Sequence, residues 1–266
     1  MAERKVAVTG IGLITPIGLD TEATWESLLA GRSGIGPITK FDASTLPTRI
    51  AGEIHGFDPT KYFSKKYVRQ MDYFIQYAVA ASYMALENAG LHEDKPPAER
   101  TGVYIGAGLG GITTIEATAV SMREKGWRHG ISPYFVPALI INLAPGQISI
   151  RHGCKGPCFS HVSACATGAH AIGEAFRVIA HGEADVMIAG GTESTVTPLS
   201  IGGFASARAL STRNDEPTRA SRPFTASRDG FVLSEGCGLL ILEAWEHAKA
   251  RGAPILAEIV GYGRNA

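Results

Sequence analysis

The segment Val162-Ser163-Ala164-Cys165-Ala166-Thr167-Gly168 has the residue types and spacing best suited to chemistry. An apolar strand ends there, small residues turn the chain, and a helix is expected to begin at Cys165. A helix N-terminus carries about half a positive charge, which favours a thiolate. The unpaired backbone N–H groups of a first helical turn can hold a developing oxyanion. The small neighbours leave room for a carbonyl carbon to approach. Cys165 is therefore a candidate nucleophile, and a buried structural cysteine is the competing reading.

Other constellations are weaker. His152, Cys154, Cys158, His161 and Cys165 form a dense cluster that raises a zinc reading. Its spacing is not that of a CxxC pair, and strand residues alternate between faces, so no metal site is expected. The run Gly106-Ala107-Gly108-Leu109-Gly110-Gly111 is formally a GxGxxG fingerprint between a strand and a helix. The confirming acidic residue about 20 positions on, at the end of a second strand, is missing. A glycine turn lining a pocket fits better. Lys65, Lys66 and Arg69, with Arg123, Lys125, Arg128 and Arg208, could meet an anionic partner or be solvated surface charge.

These residues need elements to hold them. A strand is expected from Lys5 to Val8, ended by Thr9-Gly10-Ile11-Gly12, and a short helix over 22–30. Asp72 to Gly90 has Ile75, Ala78, Val79, Ser82, Ala85, Leu86 and Ala89 at helical spacing. Thr101–Ile105 reads as a buried strand and Ile112–Arg123 as a helix. Pro137 and Pro145 break the apolar stretch 134–150 into short pieces. A strand over 157–162 leads to a helix over 166–180, then a strand over 186–189 closed by Gly190-Gly191. Residues 202–236 read as a long functional loop. A strand over 238–242, a helix over 245–251 and a strand over 255–262 follow. Alternating strands and helices predict an α/β fold with largely parallel strands.

On the cysteine helix, Cys165, Ala169, Ile172, Phe176 and Ile179 share one face. His170, Glu174, Arg177 and His181 form a second stripe about 140° away, too far round for His170 to serve Cys165 as a base. That stripe reads as a paired or interface-facing row. Gly168 and Gly173 each cost about 1 kcal/mol against alanine in a helix, so close packing by another backbone is expected.

Composition sets the outer bounds. The chain has 266 residues, 45% apolar and 19% charged, with zero formal net charge. This is globular composition, with no overall pull toward nucleic acid or a membrane surface. No apolar run is long enough to span a bilayer, and Met1-Ala2-Glu3-Arg4-Lys5 is not a signal peptide, so a cytoplasmic home is expected. Four cysteines do not suggest a disulfide framework.

Taken together, VTGIGLITPIG, GAGLGG, ISPYFVP, VSACATGAHAIGEAFRVIAHGEADVMIAGGTES, GGFASARALSTRND and SRPFTASRDGFVLSEG resemble the elongating β-ketoacyl-acyl-carrier-protein synthases of type II fatty-acid synthesis. The resemblance covers essentially the whole chain, with the blocks in the family's order. It implies a thiolase-like fold: one N-terminal βα half over 1–253, and the first strand of a second half over 254–266. It implies that Cys165 accepts an acyl chain as a thioester, which a carbanion from malonyl-carrier protein then attacks after loss of CO₂. The Cys165 N–H would be half of the oxyanion hole. Leu109 matches the acyl-pocket gate, and Ala164 and Phe204 match pocket-lining positions. Lys65, Lys66, Arg69, Arg128 and Arg208 fall where the family meets its acidic acyl carrier protein. Segment 133–143 resembles the part that contacts a partner subunit, so a homodimer is implied, and no cofactor is.

Ser234 and Cys237 depart from the small residues of the family's GEGAG-like turn. The family's two catalytic histidines, its lysine and the second oxyanion donor belong to a second half. The chain is thus expected to be an N-terminal portion, inactive in condensation by itself. A polyketide ketosynthase and a non-catalytic dimerising fragment are the alternatives.

Overall fold

The computed structural model describes residues 4–91 and 97–265. Met1–Glu3, part of the lead-in read above, and Ala266 lie outside them. In chain order the elements are β1 (Val6–Ile14), α1 (Thr21–Leu29), β2 (Ile35–Pro37), β3 (Ile50–Gly52), α2 (Lys65–Val68), α3 (Tyr73–Asn88), β4 (Thr101–Gly106) and α4 (Ile112–Gly130). They continue as α5 (Phe135–Leu139), α6 (Leu143–His152), β5 (Cys158–Phe159), α7 (Thr167–Ala180), β6 (Val186–Glu193), α8 (Pro198–Ser206), β7 (Gly236–Ala244), α9 (Trp245–Ala250) and β8 (Ala257–Ile259).

Six strands form one sheet in the order β5-β4-β6-β7-β1-β8, and β2 and β3 make a separate ribbon. The large sheet is mixed, which corrects the largely parallel expectation. β4 runs parallel to β5 and β6, whereas β6–β7, β7–β1 and β1–β8 are antiparallel. The reason lies between β6 and β7. That connection holds α8 and a long irregular stretch rather than one crossover helix, so the chain re-enters the sheet reversed.

Both faces of the sheet are covered, and alternation along each strand feeds both cores. On β6, Val186 and Ile188 join the core under α3 and α6, while Met187 and Ala189 join the core under α7. On β7, Leu239 and Ile241 face the first core, with Leu240 and Leu242 facing the second. The predicted α3 stripe is buried throughout, and Asp72 stands at its N-cap. The Ser82 hydroxyl lies 2.8 Å from His152 Nε2 on α6.

Glycines that read as strand terminators are instead interior to strands. β1 continues through Gly10 and Gly12, where a Cβ would lie 2.3 Å from the Ala85 carbonyl oxygen and 2.0 Å from that of Ala81. Their absent side chains let α3 lie directly on the strand. β6 likewise runs through Gly190 and Gly191, and at Gly190 a Cβ would meet the Gly238 carbonyl oxygen at 2.1 Å.

Other boundaries also move. α4 extends past Arg123 and kinks at Gly126 (φ 73°, ψ 167°), which brings Gly130 back against Ser121 and Met122. β5 has two residues rather than six, because the Ser160 hydroxyl turns aside to bond the Ile105 carbonyl at 2.7 Å. β8 shrinks to three residues at the sheet edge. The stretch read as a loop from 202 begins inside α8. Beyond it, Arg222 ties residues 219–229 by bonds to the Ala220 and Ser227 carbonyls and an ion pair with Asp229. At the start of β6, hydrogen bonds from Arg100 and Arg4 hold the Asp185 carboxyl down to about 2.

Among the described residues, no helix is long and apolar enough to cross a membrane.

Candidate functional site

Helix α7 begins at Thr167, with Ala166 as its N-cap, so Cys165 stands one residue before the cap rather than on the helix. The turn that carries it is tight. Ala164 has φ 49°, a left-handed conformation that costs about 1 kcal/mol or more for a non-glycine residue. Hydrogen bonds from the Ala166 N–H to the Ser163 carbonyl and from the Thr167 N–H to the Ala164 carbonyl close the turn, each 3.2 Å. The Thr167 hydroxyl accepts the Ser163 N–H at 2.7 Å.

Glycines set how closely α7 approaches the sheet. A Cβ on Gly106 would meet Thr167 Cγ2 at 2.1 Å, and Gly168 faces Gly191. At Gly173 a Cβ would fall 2.3 Å from the Tyr262 ring, so both helix glycines sit where another segment packs closely. The sheet-facing residues are Ala171, Ala175, Val178 and Ile179. This shifts the predicted face, since Ala169 and Cys165 are exposed. The second stripe is engaged elsewhere. His170 Nδ1 lies 2.6 Å from the Ser163 hydroxyl, Glu174 pairs with Arg177 at 3.9 Å and with Arg264, and Arg177 covers the Tyr262 ring.

Cys165 opens onto a cleft of about 450 Å³ whose lining includes Leu109, Ala164, Phe204, Phe231, Leu233 and Glu193. The structure thus brings Leu109, Ala164 and Phe204 together with the thiol from three distant parts of the chain. Phe204, near the end of α8, meets Phe231 edge to face at 5.3 Å. Phe231 and Leu233 were not singled out in the sequence. They lie in the irregular stretch, where no periodicity marks an inward residue.

Glu193 is the other residue that sequence reasoning missed. It ends β6, and its carboxylate accepts the N–H groups of Gly108 (2.6 Å), Leu109 (3.0 Å) and Gly110 (3.0 Å). Burial pushes its carboxyl up from the ordinary range, opposed by those three donors. The glycine run is therefore a turn that wraps a carboxylate. The available signal was an acidic residue four positions after the apolar stretch 186–189.

The remaining thiols differ from Cys165. Burial pushes Cys154 up to about 11 and Cys237 up to about 12, which makes both poor nucleophiles. Cys158 is exposed but sits on the edge strand, outside the cleft lining, and burial raises it as well. Among the described residues, no three His, Cys, Asp or Glu side chains are arranged to hold a metal ion.

The basic residues lie apart from the cleft lining. Lys65 and Lys66 are on α2, Arg69 follows it, Arg128 is past the α4 kink, and Arg208 (φ 55°) follows α8. All five are exposed, and none has an ion-pair partner among the described residues. A larger hollow of about 540 Å³ lies between Lys40, Phe57, Tyr73, Tyr77 and Glu116. Its described lining includes no Cys, Ser or His, and its lysine is bonded to the buried Glu235.

A two-faced mixed sheet with an exposed cysteine on a strained turn before a glycine-packed helix, opening on an apolar cleft, defines an α/β protein of the thiolase-like class. The chain belongs to the family described as "Beta-ketoacyl synthase, N-terminal domain", whose model matches residues 3–248. It is 52% identical over 263 residues to 3-oxoacyl-[acyl-carrier-protein] synthase 2 of Vibrio cholerae, covering 99% of this chain and 63% of that protein. A β-ketoacyl synthase structure from Burkholderia phymatum superposes with a TM-score of 0.86 at 36% identity, covering 97% of this chain and 63% of the other. A type II polyketide ketosynthase, solved in complex with its acyl-carrier protein and bound to the hexaketide, gives 0.81 at 31% identity, over 97% and 62%. The chain thus spans a little under two thirds of the length of the relatives it matches.

Proposed function

We propose that this chain carries the acyl-accepting part of a 3-oxoacyl-[acyl-carrier-protein] synthase of fatty-acid elongation. In this reading Cys165 attacks the thioester of an acyl-carrier protein, and the acyl chain passes to Sγ as the carrier thiol leaves. A carbanion from decarboxylated malonyl-carrier protein then attacks that new thioester. The observation that carries the reading is the exposed Cys165 thiol beside an apolar cleft lined by Leu109, Ala164, Phe204 and Phe231. The cleft's chemistry fits an alkyl chain, and the turn's small residues leave the thiol open to a carbonyl. The N-cap of α7, Ala166, lies one residue further on, where the helix N-terminus favours negative charge developing on that carbonyl oxygen. The Cys165 N–H is the proposed first oxyanion donor. Identity of 52% to a fatty-acid enzyme, against 31% to the polyketide one, favours the fatty-acid reading. The domain reading of 1–253 with a second unit starting at 254 accords with a family match ending at 248. The direct test is incubation with acyl-carrier protein followed by peptide mass mapping, which should find the acyl group on Cys165.

The carrier protein is the proposed partner, and Lys65, Lys66, Arg69, Arg128 and Arg208 its proposed contacts. Their exposure and lack of ion-pair partners among the described residues support this, as does the carrier-bound polyketide relative. Reversing Lys65, Lys66 and Arg69 to glutamate should raise KM for a carrier-borne acyl group about tenfold, most at low ionic strength. Transfer from a free pantetheine thioester should stay unchanged. Equal loss with both donors would remove these residues from the carrier interface.

A second copy of the chain is the proposed cover for 133–143, where Tyr134 and Val136 are 41% and 55% exposed. Sedimentation at micromolar concentration should return a dimer mass, and a monomer would overturn this.

A further inference from the structure

The turn that carries Leu109 is held from two sides. Glu193 accepts three consecutive backbone N–H groups, with one oxygen serving Gly108 and Leu109 and the other serving Gly110. On the far side the α5–α6 connection fits against the glycines. A Cβ on Gly110 would lie 2.7 Å from Ile141 Cγ1, and one on Gly111 would lie 2.4 Å from Leu139 Cα. Gly110 is also left-handed (φ 63°). A Cβ on Gly108 would come within 2.9 Å of the Glu193 carboxylate itself. The glycine pattern is thus what the clamp requires. Leu109 is the one large side chain on this turn, and it is 44% exposed in the cleft that also holds Cys165.

We propose that Glu193 is a positioning and specificity-determining residue, which fixes the Gly108–Gly110 turn and so holds Leu109 at one depth beside Cys165, setting which chains reach the thiol. A carboxylate can serve both sides of the turn with two equivalent acceptor oxygens. An amide has one acceptor and one donor, so glutamine must leave at least one N–H facing an NH₂ group. Hydrogen bonds to a charged acceptor are among the stronger ones, so the turn should loosen substantially. Its consequence for acyl-chain choice rests on Cys165 being the acylated thiol. The clamp itself does not.

The test uses Cys165 as its own reporter, with N-alkylmaleimides of increasing chain length and peptide mapping to separate Cys165 from Cys158. In Glu193→Gln, the ratio of long-chain to ethyl maleimide rates at Cys165 should change by about tenfold, from loss of a charge-assisted hydrogen bond. Ethyl maleimide is the reference within each variant, so any change in the reactivity of the thiol itself cancels from the ratio. Amide exchange at Gly108, Leu109 and Gly110 should quicken by about tenfold. Glu193→Asp, which keeps the charge with a shorter reach, should fall between, and it serves if the glutamine variant does not fold. In the double variant with Leu109→Ala, the two changes in chain-length ratio should not add, because they act through one side chain. An unchanged ratio in a folded variant, or additive effects, would overturn the proposal. Acyl transfer from carrier protein is measured alongside. Its absence in the wild type would remove the acyl-transfer reading, while the maleimide ratio and amide exchange would still decide the clamp.

Discussion

Replacing Cys165 with alanine should lower acyl transfer from acyl-carrier protein by about 1,000-fold or more, with the fold intact. The side chain is exposed, so its removal leaves no cavity and should change stability by no more than about 0.5 kcal/mol. No other described thiol can substitute. Cys154 and Cys237 are buried, and burial holds them protonated at neutral pH. Cys158 is exposed, but it lies on β5, away from the lining that gathers Leu109, Ala164 and Phe204 around Cys165. Cys158→Ala should therefore leave acylation unchanged. The measurement is the rate of thioester formation with peptide mapping of the modified residue. Transfer that survives in Cys165→Ala and vanishes in Cys158→Ala would assign the chemistry to the wrong thiol here.

The second large effect concerns the reaction after acylation. The 266-residue chain, given acyl-carrier and malonyl-carrier protein, should form the Cys165 thioester but no 3-oxoacyl product above the uncatalysed rate. The reason is the composition of the cleft wall. Among the described residues, its only titratable side chains are Cys165 and Glu193. Both Glu193 oxygens are already engaged with the three N–H groups of Gly108, Leu109 and Gly110, so it is not free to serve a malonyl thioester. Of the two histidines nearest in sequence, His161 is outside the cleft lining and His170 is turned to Ser163. Decarboxylation needs donors for the enolate oxygen as CO₂ departs. A single such donor is worth about 10²–10³ in rate, and a placed acid or base about 10²–10⁴. A form that also carries the family's histidine-bearing segment should condense. Steady product from the 266 residues alone, lost on Cys165→Ala, would refute the need for those histidines.

What could be read from the sequence follows from what each signal encodes. Strongly periodic stretches such as Tyr73–Asn88 and Thr167–Ala180 were legible because a helix repeats its buried face every three to four residues. The strand-to-helix junction at Cys165 was legible because small residues, a thiol and an amphipathic helix follow one another locally. The family motifs named Leu109, Ala164 and Phe204 in advance, and the fold gathers them into one cleft with Cys165. Glycine was the ambiguous letter. Gly10 and Gly12 read as punctuation, yet they are strand interior, because what matters there is the backbone of α3 lying 2.0–2.3 Å from where a Cβ would be. No local pattern distinguishes a glycine that bends the chain from one that admits a neighbour.

By itself, then, the sequence determined the apolar strands, the long helices, the placement of Cys165 at a turn, and the residue types of the cleft beside it. The tertiary structure alone decided the reversed direction of β7 and β8, the exposure of Cys165 against the burial of Cys154 and Cys237, and the clamp of Glu193 on Gly108–Gly110. Each of these depends on contacts between residues far apart along the chain, 83 to 85 positions apart in the case of Glu193. Local propensity and spacing fix dihedrals and faces. Only packing fixes which carboxylate meets which amide, and thereby how the cleft beside Cys165 is shaped.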